Sequence, residues 1–145
     1  MAYQFIQLTD TTLGAVDTGA LLPLGNITRR FANGSACQDT FLVSTSGSDT
    51  VTITESGFYK ISLTGSYVAE ADGLVTFTLL VDNLPITSVS DTVAAGDTTN
   101  MSLEYVIRVR PSCLAVSNVP ATVQIVNSGV ALTGGTSNFI IEKIR

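Results

Sequence analysis

Residues 57–68 read GFYKISLTGSYV, with Tyr59, Ile61, Leu63, Gly65 and Tyr67 alternating against Lys60, Ser62, Thr64 and Ser66. Successive side chains of a strand point to opposite sides, so this rhythm predicts a half-buried β-strand. Upstream, Val51 and Ile53 alternate before the Ser56-Gly57 break, which predicts an antiparallel partner. Downstream, LVTFTLLVDNLPITSVS (residues 74–90) places Val75, Phe77, Leu79 and Val81 inward. Asp82 and Asn83 tolerate left-handed backbone and predict a tight hairpin there. MSLEYVIRVR (residues 101–110) repeats the alternation through Met101, Leu103, Tyr105, Ile107 and Val109, leaves Glu104, Arg108 and Arg110 outside, and stops at Pro111. ATVQIVNSG (121–129) and SNFIIEKIR (137–145) complete eight or nine short strands, and no stretch reads as a helix. That spacing fits an all-β protein, a two-sheet antiparallel sandwich or jelly roll, better than anything with helices.

Composition agrees with this reading. The chain has 145 residues, enough for one domain with its own core; 45% are apolar and only 13% charged, with Thr, Ser, Val and Gly abundant. The net charge of -5 and seven scattered basic residues argue against a nucleic-acid partner, because phosphate neutralisation requires clustered Lys and Arg. Only Arg108 and Arg110 form a basic pair on one face. No apolar run has the length of a membrane span, and MAYQFIQLTDTTLGAVD at residues 1–17 lacks the pattern of a secretory signal, so synthesis in a cytoplasm is expected. Cys37 and Cys113 allow one bridge, or two buried thiols. The sequons at Asn26, Asn33 and Asn100 read as turn-region asparagines.

The first 25 residues differ from the rest. They carry scattered apolar side chains around Gly14, Gly19 and Pro23 without a strand rhythm, and are expected to be an arm, an attachment or subunit-contact segment, ahead of a jelly-roll trimerisation domain at residues 26–145. The last strand raises a separate question, because Phe139 and Ile141 share one face while Ile140 and Ile144 share the other. Apolar side chains on both faces predict that this strand is either central in a sheet covered on both sides or packed against another chain.

No histidine occurs, which removes Ser-His-Asp and Cys-His sites together with the commonest metal ligand. The carboxylate pairs Glu70 with Asp72 and Asp91 with Asp97 sit in turns where a solvated acid is the ordinary explanation, so no catalytic residue is assigned and the protein is not expected to be an enzyme. Asp72, Asp82, Asp91 and Asp97 are oxygen donors suited to calcium, but no spacing matches a known calcium loop, and no metal or cofactor is assigned. Arg29 and Arg30 beside Phe31 fit an edge strand protected by charge more simply than a sugar or phosphate contact. The alternation of Tyr59, Tyr67 and Tyr105 points to core or subunit interface rather than to a carbohydrate platform.

Taken together, GFYKISLTGSYV, VTFTLLVDNLPI (75–86), MSLEYVIRV (101–109), VQIVNSG (123–129) and SNFIIEKI (137–144) resemble the trimeric jelly roll of tumour necrosis factor and of complement-type globular heads. The chain departs from the animal members in lacking a collagen-like stalk. Short versions with a segment like LPLGNITRRF (22–31) are similar to phage virion and bacterial spore-surface proteins of that fold. The resemblance implies a homotrimer with the last strand lining the threefold axis. The expected interface residues are Phe139, Ile140, Ile141, Ile144, Tyr59 and Tyr105. It further implies a structural virion protein at the surface of a phage particle, a capsid decoration or head fibre held to a capsid or tail protein through the arm. The alternative is a tip domain of a phage fibre or spore surface that binds a receptor or host-surface glycan. The loops STSGSDT, EADG, DTVAAGDTTN and NSGVALTGGT are small and bland, which favours decoration over recognition.

Overall fold

The computed structural model describes residues 4–31, 41–44, 48–110 and 120–145. Cys37, Cys113, Asn33 and Pro111 lie outside the described residues. The strands are β1 (Phe5–Leu13), β2 (Asn26–Phe31), β3 (Phe41–Val43), β4 (Val51–Ile53), β5 (Gly57–Ala69), β6 (Gly73–Val81), β7 (Leu84–Val93), β8 (Thr98–Val109), β9 (Ala121–Asn127) and β10 (Leu132–Lys143). They make two sheets, ordered β2-β1-β10-β5-β8 and β3-β4-β9-β6-β7, and neighbouring strands are antiparallel throughout. First and last strands are therefore neighbours in the middle of one sheet, which is the jelly-roll arrangement. Asp82 and Asn83 have φ of 53° and 65°, the left-handed pair that a two-residue hairpin of this hand needs.

The core lies between the sheets. Leu8, Phe139, Leu63 and Leu103 stand opposite one another on four successive strands, and all four are buried. They meet Phe77, Leu79, Val123 and Ile125 from the second sheet, also buried. Tyr67 packs edge-on to Phe77 with ring centroids 4.7 Å apart, and Phe41 meets Tyr59 at 5.8 Å, geometries that suit the positive edge and negative face of the rings.

Residues 5–24 belong to this core rather than standing apart from it as an arm. β1 runs between β2 and β10, and Ile6 and Leu8 have no exposed surface. After the register break between Asp10 and Leu13, the chain crosses to the other sheet. Val16 exchanges backbone hydrogen bonds with Leu132, at 3.0 and 2.9 Å, and Leu22 donates to the Ile125 carbonyl at 2.7 Å. Asn127, fully buried, anchors the crossing: its Nδ2 donates to the carbonyls of Val16 at 3.3 Å, Asp17 at 3.4 Å and Val130 at 3.0 Å, and its Oδ1 accepts from the Gly129 amide at 3.2 Å. A buried amide with its donors and acceptor used in this way stabilises one path of the chain over others. Leu22 and Leu24 then enter the core with no exposed surface.

Two interior tyrosines link the packing to pH. The Tyr59 hydroxyl donates to the Glu55 carbonyl at 2.7 Å, and burial, reinforced by the Glu55 charge, raises its pKa well above the ordinary 10.0. Burial also raises that of Tyr67, with the adjacent Ser137 hydroxyl opposing and Asp10 adding; neither Tyr67 Oη nor Ser137 Oγ completes a hydrogen bond of proper geometry. The unfolded chain releases these protons near pH 10 while the folded chain holds them, so the folded state binds more protons above pH 10 and stability falls as pH rises. Replacing both residues by Phe is expected to flatten the loss of stability between pH 10 and about 12. Urea midpoints across that range measure it, and an unchanged slope would contradict the assignment.

Candidate subunit interface

Every second side chain of the β2-β1-β10-β5-β8 sheet faces away from the core. One cross-strand row on this outer face holds Arg29, Gln7, Ile140, Ser62 and Glu104, and the next holds Phe5, Glu142, Lys60 and Val106. Ile140 is half-buried at the centre, flanked by short polar groups; Gln7 Nε2 donates to Asn138 Oδ1 at 2.7 Å beside it. Lys60 and Glu104 pair at 3.5 Å, both well exposed, so the pair contributes little to stability. The face is level and mixed in polarity, with one aliphatic side chain at its middle.

Towards the chain termini the face gains exposed apolar side chains, Phe58 and Ile144, beside charged ones. The Ile144 amide donates to the Phe58 carbonyl at 2.8 Å, Phe58 stands opposite Arg108, and the Arg108 guanidinium lies 5.6 Å from the Phe58 ring centroid, a cation–π contact. Around the corner, β7 and β8 are the last strands of their respective sheets. A groove of roughly 430 Å³ lies there, lined by Leu84, Ile86, Tyr105, Val106, Arg108 and Arg110 among others. Leu84 is 64% exposed and Tyr105 40%. Tyr105 occupies an inward position of β8, between buried Leu103 and buried Ile107. The β6–β7 register breaks between Leu79 and Leu80, a bulge of the kind that bends a strand, and Tyr105 lines the groove beside Val81 and Leu84.

The six residues expected at an interface separate in the structure. Phe139, Ile141 and Tyr59 are fully buried within the chain's own core. Ile140 lies on the outer face, half-buried, and Ile144 and Tyr105 are 46% and 40% exposed. One face of the last strand is thus spent on its own sandwich, and the other, with Ile140 and Ile144 among polar groups, is open. The sequence alternation did not signal Leu84, Ile86, Val106 and Phe58 as neighbours of that open surface, because each belongs to a different strand pattern.

Three of the acids considered for chemistry have structural roles. Asp72 Oδ1 accepts from the Ala95 amide at 2.7 Å, Asp82 Oδ1 accepts from the Thr122 amide at 3.0 Å, and Asp91 accepts from the Thr99 hydroxyl. Among the described residues no three His, Cys, Asp or Glu side chains gather as a metal site, and no helix is long and apolar enough to cross a membrane.

No family model matches the chain, and no curated protein matches it. Solved structures do. PRD1 vertex protein P5 aligns with a TM-score of 0.66 at 15% identity, over 98% of this chain and 97% of that one. The Eiger TNF of S. frugiperda aligns at 0.73 with 8% identity, over 100% and 94%. The globular domain of zebrafish complement 1qA protein aligns at 0.62 with 12% identity, over 100% and 98%. The described residues have the tumour necrosis factor-like jelly-roll fold, all-β and two-sheeted.

Proposed function

We propose that this protein is a structural component of a phage particle surface, a homotrimeric jelly roll serving as a capsid decoration or head fibre. The observation that carries the reading is the end-to-end likeness to a vertex protein, in a fold whose polar turn groups are used for its own construction. In this reading the outer face around Ile140 lies at the threefold axis, where one aliphatic residue from each of three chains meets its equivalents, and Ile144 and Tyr105 lie nearer the rim. The glycan-binding alternative is weaker, because the loops at the end away from the termini carry small side chains such as Ala71, Gly73, Ala94, Ala95 and Gly96, whereas recognition surfaces rely on aromatic and Arg anchors.

The test is the mass in solution. Light scattering on the unmodified protein is expected to give three chains per particle, and Ile140→Asp is expected to give one. Three like charges brought together without partners cost several kcal/mol, on the order of 3–5 for each uncompensated buried charge. Circular dichroism of the Asp variant should remain that of a β-protein, since Ile140 contributes to the core of no single chain. A well-folded monomer for the unmodified protein would refute the trimer.

A further inference from the structure

The seven basic residues are scattered in sequence but not in space. The row Leu8–Phe139–Leu63–Leu103 divides the sandwich into an end that bears both termini and an opposite end of loops. Lys60, Arg108, Arg110, Lys143 and Arg145 lie on the terminal side of that row on β5, β8 and β10, and Arg29 and Arg30 lie there too, opposite Gln7 and Ile6. Every positive side chain of the protein is thus at one end. Asp10, Asp17, Glu70, Asp72, Asp91 and Asp97 lie on the other side of the row, with no Lys or Arg among them. Acids share the basic end, with Glu55 paired to Lys143 at 2.6 Å and Glu104 to Lys60 at 3.5 Å and with Asp82 and Glu142 nearby, but basic side chains are confined to that end, so the folded chain is electrically polar along its length.

The basic end also holds the apolar groove between β7 and β8, with Leu84, Ile86 and Tyr105 on its walls and Arg108 and Arg110 along it. We infer that this end is a docking surface for an acidic protein segment that also carries aliphatic side chains. The carboxylates would meet the guanidinium groups, which bind such groups through two parallel hydrogen bonds, and the aliphatic side chains would fill the groove. A second copy of this chain fits less well. Its acidic end would match in charge, but the loops there, EADG at 70–73 and AAGD at 94–97, have no large aliphatic group to enter the groove. Nucleic acid fits less well too, since Asp82 borders the groove and Glu104 and Glu142 stand on the adjoining face, where they would repel a continuous phosphate chain. The inference rests on the particle-surface reading only in taking the docked segment to belong to the particle, which makes the terminal end the one that faces it.

The experiment uses the full chain and a fluorescein-labelled peptide alternating glutamate and leucine, followed by anisotropy. Binding is expected at low salt and should weaken at ~0.15 M salt. It should fall by about tenfold or more in Arg108→Gln/Arg110→Gln and in Leu84→Ser/Ile86→Ser, whose side chains leave the core untouched. Asp17→Asn/Glu70→Asn at the other end should change nothing. A peptide with serine in place of leucine should bind less well. Absence of peptide binding, equal loss from the Asp17/Glu70 variant, tighter binding of duplex DNA than of peptide, or displacement of peptide by end-to-end self-association would each overturn the proposal. Light scattering on the same samples keeps the outcomes apart: a trimer that ignores the peptide refutes the docking end alone, and a monomer that binds it refutes the trimer alone.

Discussion

A chain lacking residues 1–25 is expected not to fold. The deletion removes Ile6, Leu8, Leu13, Val16, Leu22 and Leu24, all buried. At about 2 kcal/mol for each buried aliphatic side chain, the loss is on the order of 10 kcal/mol, which equals the whole net stability of a typical domain. The geometric loss is as serious. β2 pairs with β1 alone, so it leaves the sheet with it, and β10 becomes an edge with a bare row of backbone donors and acceptors, a template for aggregation. Asn127 loses two of the three carbonyls its amide serves, and a buried polar group left unpaired costs about 1–3 kcal/mol more. The truncated chain should be insoluble or show no cooperative urea transition. A soluble, cooperatively unfolding product would mean that residues 5–24 are dispensable to the sandwich after all.

Gly65→Ala is expected to cost about 3 kcal/mol or more, a large loss for one methyl group. Glycine inside a strand ordinarily weakens it, and here the backbone tolerates no alternative. A Cβ built at Gly65 would press on the Thr136 carbonyl oxygen and stand 2.6 Å from the Tyr67 hydroxyl and 2.8 Å from the ring carbon that bears it. Tyr67 lies two residues along the same face of β5 and is itself fixed by the edge-on contact with Phe77. The ring covers the glycine and takes the volume a side chain would have used. Chemical denaturation measures the loss, together with a fall in melting temperature of roughly 10 °C. Trimming the ring in Gly65→Ala/Tyr67→Leu should recover little, because the Thr136 carbonyl is backbone and cannot move without breaking the β5–β10 ladder. A loss under about 1 kcal/mol in the single variant would show that the two strands can separate locally, contrary to this account.

The deletion also shows where local reading fails. Later strands announce themselves because the alternation of apolar and polar residues is uninterrupted from Tyr59 to Tyr67 and from Val75 to Leu79. The first 25 residues have their apolar side chains too, but β1 is irregular after Asp10, and residues 14–24 cross between sheets instead of lying in one. Val16, Leu22 and Leu24 are buried by what they cross over, and no period records that.

By itself the sequence determined the class of fold, the strands with clean alternation and the Asp82-Asn83 hairpin, since these depend on the two-residue period of a strand and on which side chains allow left-handed backbone. It also showed apolar side chains on both faces of the last strand, Phe139 and Ile141 on one and Ile140 and Ile144 on the other. Which face is internal was a tertiary matter: Phe139 and Ile141 point inward because β1 and β5 pair with β10 in the register that sets Phe139 between Leu8 and Leu63, and a shift of one residue would have exchanged them with Ile140. Only the tertiary structure gathered seven basic side chains at one end. Charges distant along the chain become neighbours when antiparallel strands bring alternate turns to opposite ends, and nothing in the local order of residues reports that sorting.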